Sequence, residues 1–354
     1  MTIPDFLQRL LTVTAPSGYE SPAGALWRAE AESFAGSVSN DTLGSSVARV
    51  PAAGDGEARL IGLVGHIDEI GVSVSYIAEG GYLRFGPVGG WDPQVLIGQR
   101  VTVLGANGPV TGVIGRKPIH LLEEEERKKV PKLEDMYIDI GASSRDDAAR
   151  LVAVGDPAVI AAQPVEIANG RIASKAMDNR LGSYVVLEAA RRVAESDGAG
   201  WEVAAVAAAQ EETSFGGSTT SAFALDMSAC IVVDVTHASD VPDVEAAKVG
   251  EAQLGHGPQI SRGSNLHPRM TQLLTEAAEA ESIPYTVAMP GRRTGTDADA
   301  IHLARAGVPC GLVSIPLRYM HSPVETVQLS DVEHAIALLA AACRLLKDDE
   351  DFRR

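Results

Sequence analysis

Cysteine, aromatic residues and positive charge are all scarce in this chain of 354 residues. Three cysteines occur, at Cys230, Cys310 and Cys343, and their odd number and wide spacing argue against a disulfide framework and favour a reducing compartment. A formal net charge of -17 argues against nucleic acid or an anionic membrane as the main partner, because both attract basic surfaces. The sequence also lacks a signal-peptide pattern and an apolar run long enough to span a bilayer, so we expect a cytoplasmic protein.

The residues that are present favour a folded chain with two parts. With 45% hydrophobic residues, the chain is long enough for a large core and a smaller module. Helical spacing runs from Ile3 to Leu11, and a second helix is predicted to begin near Ser21. The short apolar run Arg59–Gly65 predicts a buried strand that ends at His66. In an open α/β sheet, such carboxyl ends of strands carry the chemistry.

The pattern of apolar and turn-forming residues changes between about Gly71 and Glu166. Short alternating stretches, Val101–Leu104 and Val110–Ile114, are separated by Gly, Pro and Asn, which is typical of a small β-rich module. After it, one long helical pattern and three apolar strands are predicted, at Leu181–Ala194 and at Val203–Ala209, Cys230–Val235 and Cys310–Ile315. We therefore predict an α/β domain over residues 1–71 and 166–354, interrupted by a β-rich domain over residues 72–165.

Five clusters place histidine or acidic residues just after a predicted strand or in a glycine-rich turn. They are His66-Ile-Asp68, Asp178-Asn179, Gln210-Glu211-Glu212, Asp234 and His321-Ser-Pro. A site for two divalent cations needs imidazole and carboxylate ligands, with at least one carboxylate that gives an oxygen to each ion. The chain supplies both kinds of ligand at strand ends, although no single cluster is decisive.

Three of these clusters also have simpler interpretations. His66 and Asp68 point to the same side of an extended segment, so the carboxylate can fix the imidazole tautomer, but a strand-end histidine can equally serve local hydrogen bonds. Asp178 precedes a predicted helix, where an N-cap is the simpler role. Glu211 and Glu212 leave a buried strand, where carboxylates are costly to desolvate, yet the glycines that follow are equally consistent with an acidic surface turn.

The remaining two clusters lie at the ends of later strands. Asp234 is in the β-branched run Ile231–His237, where a purely structural acid is unusual. His237 itself is interpreted as a neighbour of the site. His321 follows the strand Cys310–Ile315 and a proline-bounded loop, which is a suitable position for an active-site residue.

In this order, the clusters resemble the M42 family of metallopeptidases, the glutamyl or leucyl aminopeptidases of the tetrahedral (TET) type, which are sometimes named endoglucanase M. The resemblance covers nearly the whole chain. Its motifs are GHIDEIG at 65–71, GGWDP at 89–93, IDIGASSR at 138–145, SKAMDNRLG at 174–182, QEE at 210–212, GTDAD at 295–299 and RYMHSPVE at 318–325. Seven motifs in one order make chance agreement implausible.

The resemblance implies a ligand set for two divalent metal ions per subunit. His66 and Asp234 are the implied ligands of one ion, Glu212 and His321 those of the other, and Asp178 is the implied bridge. Zinc is the first expectation, with cobalt and manganese as alternatives, because all three accept these ligands.

The resemblance also implies roles for residues beside the metals. Glu211 is the implied general base of an aminopeptidase, and Asp68 the acid that orients the histidine two residues before it. Thr296 and Asp297 are expected to line the substrate pocket, although either can simply cap a helix. Arg292 is expected to favour an acidic substrate side chain, although arginines near a cleft are often paired with structural acids.

The implied fold is a zinc-peptidase-like α/β/α sandwich with an inserted PDZ-like β-barrel domain for dimerisation and assembly. The implied partners are short peptide substrates and further copies of the chain, in a dodecamer built from dimers. Two rival functions stay open. A glycosidase would use Glu211 and Glu212 as its acid and base, but adjacent carboxylates on one turn do not straddle a sugar bond. A non-catalytic scaffold would use metals only to stabilise its fold.

Overall fold

The structure is a computed structural model that describes residues 2–54 and 58–353. Over these residues the strands are β1 (Ser37–Asn40), β2 (Ser46–Val50), β3 (Leu60–His66), β4 (Gly71–Ile77), β5 (Leu83–Val88), β6 (Arg100–Gly105), β7 (Gly108–Arg116), β8 (Met136–Asp139), β9 (Pro157–Ile160), β10 (Val165–Ile167), β11 (Arg171–Ser174), β12 (Glu202–Ala208), β13 (Ala229–His237), β14 (Gln259–Ser261), β15 (Thr286–Ala288), β16 (Cys310–Leu317) and β17 (Glu325–Gln328).

The α-helices of the same residues are α1 (Asp5–Thr12), α2 (Ser21–Ala31), α3 (Pro93–Leu96), α4 (Glu124–Arg127), α5 (Arg145–Ala149), α6 (Met177–Ala194), α7 (Glu211–Ser214), α8 (Gly216–Ala224), α9 (Ala246–Val249), α10 (Pro268–Ala280), α11 (Ala298–Ile301) and α12 (Leu329–Leu345). Short 3₁₀ helices lie at Ile119–Leu121, Leu133–Asp135 and Ala168–Gly170. Within this described part of the chain, none of the helices has both the length and the apolar character of a bilayer span.

The main sheet has the strand order β1-β2-β12-β3-β13-β16-β14-β15. Its four central strands, β12, β3, β13 and β16, run parallel to one another. They are almost wholly apolar because helices cover both faces of the sheet. Helices α6, α10 and α12 pack on one face, and α8 and α11 on the other. This architecture confirms the predicted α/β/α sandwich.

A close approach between β3 and α6 helps to set where the site forms. A Cβ atom added to Gly65 would lie 2.4 Å from the carbonyl carbon of Gly182, so glycine is required where the strand and helix touch. The N-terminal part of α6 therefore lies over the carboxyl end of β3. Asp178, near the start of α6, comes close to His66, the last residue of β3.

The inserted module is a closed antiparallel barrel with the strand order β4-β5-β8-β7-β6-β9. Its core is separate from that of the sandwich and is built from inward-facing aliphatic residues and one phenylalanine, including Val72, Val74, Leu83, Phe85 and Ile138. The barrel confirms the predicted β-rich insertion. Its strands run from Gly71 to Ile160, and the domain boundaries at residues 71–72 and 165–166 stay a prediction.

Candidate metal centre

The predicted site residues meet at the carboxyl end of the parallel strands. His66 ends β3, and the register that pairs Val64 with Val232 brings it level with Asp234 on β13. A cavity of about 300 Å³ opens here. Its lining includes all five predicted metal ligands and the predicted base, namely His66, Asp178, Glu211, Glu212, Asp234 and His321.

Asp178 lies between the two histidines. Its Oδ1 atom is 3.2 Å from Nε2 of His66, and its Oδ2 atom is 3.2 Å from Nε2 of His321. One set of potential ligand atoms, from His66, Asp178 and Asp234, lies within 4.8 Å of one another, and so does the set from Asp178, Glu212 and His321. Asp178 is the member that the two sets share, so its carboxylate has the geometry of a bridge.

Glu211 and Glu212 stand beside these sets. An Oε2 atom of Glu211 is 3.7 Å from Nε2 of His66, and Oε1 of Glu212 is 3.5 Å from Nε2 of His321. The side chains of both glutamates are less than a tenth exposed. An acidic turn on the surface, the simpler interpretation of this pair, is therefore wrong.

Asp68 contacts His66 at the end of β3 and the backbone of Glu211 and Glu212. Its Oδ1 atom lies 3.2 Å from Nδ1 of His66, although the ring N–H is poorly aligned with it. The same carboxylate accepts hydrogen bonds from the backbone amides of Glu211 and Glu212, each at 3.2 Å. Asp68 is fully buried and links the end of β3 to the start of α7.

Burial dominates the electrostatics of the glutamates. It raises the pKa of Glu211 to about 10; the attraction of His66 opposes this rise, and repulsion from Asp234, Asp297 and Glu212 adds to it. Burial likewise raises the pKa of Glu212 above its ordinary value and that of Asp234 well above it. The protein therefore supplies too little positive charge to stabilise the ionised form of these carboxylates.

The histidines show the complementary shift. Burial alone lowers the pKa of His321, but its contacts with Asp178 and Glu212 raise that pKa to about 11. Burial also opposes the charge on His66, yet the charge of Glu211 and the contact with Asp178 raise its pKa well above the ordinary value. Both imidazoles thus lie where a cation is strongly stabilised.

This donor set fits divalent cations. Among the described residues that line the cavity, none is lysine or arginine, while four are carboxylates. Buried Oε1 of Glu212 also has no hydrogen-bond donor among the described residues. Two divalent cations would offset the repulsion, and imidazole and carboxylate are ligands that such ions accept.

The predicted substrate-binding residues occupy three different places. Thr296 lines the cavity, whereas Asp297 is 1% exposed and is not among the lining residues. Burial raises the pKa of Asp297 to about 6. Arg292 lies on a neighbouring cavity of about 510 Å³, beyond the Thr294–Asp299 turn, together with Arg293.

The local backbone also tests the capping interpretations. Asp178 is not an N-cap: the backbone is non-helical at Asp178 and Asn179, and Oδ1 of Asn179 accepts the capping hydrogen bond, from the amide of Gly182 at 2.8 Å. Asp297 does occupy the N-cap of α11, but Oγ1 of Thr296 accepts the hydrogen bond, from the amide of Ala298 at 3.3 Å. Thr296 thus combines a capping role with a place on the cavity.

Some residues at the site were not singled out from the sequence. Buried Glu325 accepts hydrogen bonds from backbone amides on both sides of the centre. A Cβ atom on Gly89 would lie 3.2 Å from Oε2 of Glu212, and one on Gly90 would lie 3.4 Å from Nδ1 of His321. The motifs GGWDP and RYMHSPVE contain these residues, so the motifs were the available signal.

A sandwich whose parallel strands end in clustered imidazoles and carboxylates defines a class of metal-dependent hydrolases. A family model described as M42 glutamyl aminopeptidase matches residues 44–338. The chain therefore belongs to the M42 family and is an aminopeptidase, which confirms the predicted family and enzyme class.

Curated relatives are aminopeptidases too. A putative aminopeptidase of Acetivibrio thermocellus is 36% identical over 341 residues, which cover 96% of this chain and 97% of the relative. The lysyl aminopeptidase of Pyrococcus furiosus is 34% identical over 313 residues, which cover 88% of this chain and 87% of that enzyme.

Solved structures share the whole architecture. A TET aminopeptidase from the marine sediment archaeon Thaumarchaeota archaeon SCGC AB-539-E09 is 35% identical, with a TM-score of 0.91 over 98% of this chain and 96% of that one. The TET1 peptidase of Pyrococcus horikoshii, which can assemble into a tetrahedron or a large octahedral shell, is 28% identical, with a TM-score of 0.85 over 97% and 99% of the two chains. A structure from Thermotoga maritima named endoglucanase is 30% identical, with a TM-score of 0.76 over 96% of each chain.

Proposed function

We propose that this aminopeptidase uses two divalent cations to remove the N-terminal residue from short peptides. The proposal rests on the position of Asp178, whose two carboxylate oxygens each lie 3.2 Å from Nε2 of a different histidine. In this proposal His66 and Asp234 hold one ion, and Glu212 and His321 hold the other. The residues accept zinc, cobalt or manganese, and zinc is our first choice.

The bound ions would supply Lewis acidity, which lowers the pKa of water and polarises the scissile carbonyl. Glu211 accepts a proton from the attacking water as the water oxygen bonds to the carbonyl carbon. The same glutamate then delivers the proton to the leaving amine nitrogen as the C–N bond breaks. Asp68 holds the imidazole of His66 and the amides of Glu211 and Glu212, so that base and ligands keep one geometry.

Substrate recognition follows from charge. The free α-amine of a peptide, which an internal residue lacks, is recognised beside the metals, by one of the ions or by an acid of the cavity lining. Thr296 contacts the bound peptide, and Asp297 supports that turn from the buried side. Arg292 and Arg293 carry positive charge on the neighbouring cavity, which favours an acidic group there.

We further propose that the chain is divided at residues 71–72 and 165–166, and that the barrel serves dimerisation and assembly. The assemblies of the TET1 peptidase support a closed homo-oligomer, with a dodecamer built from dimers as the simplest form. The few, unpaired cysteines support a cytoplasmic location.

The test combines metal restoration with a panel of substrates. Metal-depleted protein is assayed on aminoacyl-p-nitroanilides with acidic, basic and aliphatic residues after addition of each ion. Turnover should return with one or more of the three ions, and two equivalents should bind per chain. No turnover with any ion would contradict the proposed chemistry.

A matched pair of variants tests the base. Glu211→Gln should lower kcat by a factor on the order of 10² to 10⁴, because general bases contribute that much, while two ions still bind. Glu79→Gln removes a glutamate whose side chain is 82% exposed and should leave kcat unchanged. Unchanged turnover in Glu211→Gln would reject the base assignment, and loss of one bound ion would make Glu211 a ligand.

A further inference from the structure

Glu325 is the first residue of β17 and is 2% exposed, yet both oxygens of its carboxylate accept hydrogen bonds. Its Oε2 atom accepts hydrogen bonds from the backbone amides of Met177 at 2.7 Å and Asp178 at 3.2 Å. Its Oε1 atom accepts one from the amide of His321 at 2.8 Å. One buried side chain thus joins two segments that carry proposed ligands and lie more than 140 residues apart in sequence.

Both segments have backbone conformations that non-glycine residues rarely adopt. Ala176, just before Met177, has a φ of 58°, and His321 has a φ of 59°. Tyr319, two residues before His321, has a φ of 61°. Such left-handed residues persist only where surrounding contacts hold them, and they concentrate at functional sites. The three bonds to Glu325 are contacts of this kind.

A carboxylate is the side chain that this position requires. Three N–H donors converge on it, and a carboxylate has two oxygens that can accept them. A glutamine of the same shape has one accepting oxygen, and its NH₂ group would face a backbone N–H.

We propose that Glu325 is a positioning residue for the dinuclear centre: it fixes the backbone of Asp178 and His321 so that their side chains converge on the cations. This inference rests on the proposed function. Among the described residues, Glu325 is not part of the cavity lining, so it acts through the residues that it holds. Asp68 has the corresponding position under Glu211 and Glu212, so a buried acid supports each side of the centre.

The main variant is Glu325→Gln, and its first readout needs no catalysis. Hydrogen exchange of the metal-free protein should speed up at the amides of Met177 and Asp178 or at that of His321, because one oxygen cannot serve both segments. Metal affinity, measured by calorimetry, should fall about 10- to 100-fold, as is typical when support of a ligand is lost. At saturating metal, kcat should stay at least tenfold lower while KM changes little.

Asp331→Asn is the matched control. Asp331 is fully buried and accepts hydrogen bonds from the backbone amides of Gly255 at 2.7 Å and Gly257 at 3.0 Å. Those glycines carry no proposed ligand and do not line the cavity. The control loses the same kind of bonds, so its thermal midpoint should fall comparably, while its metal affinity and kcat stay within about twofold of the original protein.

Glu325→Asp provides a second test that keeps the charge and both acceptors. Its carboxylate is one methylene shorter, so its metal affinity should lie between those of the original protein and Glu325→Gln. If Glu325→Gln does not fold, this variant carries the comparison with Asp331→Asn through the same measurements.

Two results would overturn the inference. One is a Glu325→Gln protein with unchanged amide exchange, metal affinity and kcat. The other is a loss of thermal stability in Glu325→Gln and Asp331→Asn alike, with metal affinity unchanged in both, which would make Glu325 merely structural. Failure of the original protein to bind metal or to turn over substrate would instead refute the proposed function.

Discussion

Replacing Arg180 with methionine should destabilise this fold more than the loss of any surface ion pair. The guanidinium is fully buried inside α6 and ties three parts of the chain together. It donates hydrogen bonds to four backbone oxygens and to Oε1 of Glu69 at 2.9 Å; the backbone acceptors are Leu10, Val13, Ala15 and Ile67. Methionine fills much of the volume but donates nothing.

The expected loss follows from these partners. Removing one member of a buried ion pair costs about 3–5 kcal/mol, and the lower value applies because Nζ of Lys175 stays 2.6 Å from Glu69. The buried carbonyls that lose a donor cost at least about 1 kcal/mol each. The Ala15 carbonyl keeps the amide of Glu69 as a donor and Val13 is only half-buried, so the carbonyls of Leu10 and Ile67 are the two that count. A total loss of about 5 kcal/mol is therefore expected, which is a third or more of the stability of a typical domain.

Denaturant unfolding of the metal-free protein measures this loss, because bound ions would add stability of their own. The control is Arg344→Met, which removes a surface pair with Glu281 at 3.2 Å and should cost about 0–1 kcal/mol. If Arg180→Met lowered the free energy of unfolding by less than about 1 kcal/mol, the argument from buried hydrogen bonds would be refuted.

Two further predictions concern the same region. Gly65→Ala should lower the free energy of unfolding by on the order of 3 kcal/mol or prevent folding, because its Cβ would meet the backbone of Gly182 at 2.4 Å. The control is Gly86→Ala, which should be tolerated because nothing lies within 4 Å of the added Cβ. Urea unfolding compares the stability of the two variants. Burial opposes the charge of Glu69, but Arg180 and Lys175 hold its pKa in the folded protein below the ordinary 4.5. The ionised Glu69 should therefore contribute its full stability above about pH 4.5 and lose this contribution as the pH falls through the folded pKa. Between pH 5 and 3, metal-free Glu69→Gln protein should therefore lose less free energy of unfolding than the original; equal losses would contradict this.

Local pattern was sufficient for much of the fold. The strand predicted over 59–65 is observed at Leu60–His66, and the strand predicted over 203–209 at Glu202–Ala208. Buried parallel strands have continuous apolar runs, and turns have glycine and proline, so both signals are carried by neighbouring residues. The helix predicted over 181–194 is observed at Met177–Ala194, but the backbone is non-helical at Asp178 and Asn179, so its regular turns begin close to the predicted residue.

The site was less predictable, because its geometry depends on residues far apart in the chain. Strand-end position indicated His66 and Glu212 as candidates, and the family resemblance supplied the roles. Neither predicted that Asp297 would lie behind the cavity or that Arg292 would line a neighbouring one. Glu325 was signalled only as the last residue of the motif RYMHSPVE, and its role could not be predicted because it depends on three backbone amides that the fold brings to it.

The turn Gly89–Pro93 has a consequence for any attempt to shorten this protein. It belongs to the inserted barrel and is anchored by a 2.7 Å hydrogen bond from Nε1 of Trp91 to the carbonyl oxygen of Gly71. It passes close to the site, because a Cβ atom on Gly89 would crowd Oε2 of Glu212 and one on Gly90 would touch His321. The inserted module thus approaches the candidate metal centre from one side, although the described residues that line the cavity come from the sandwich. A minimal enzyme cut down to the sandwich would lose this approach, and any tilt of the barrel would change the distances from the turn to Glu212 and His321.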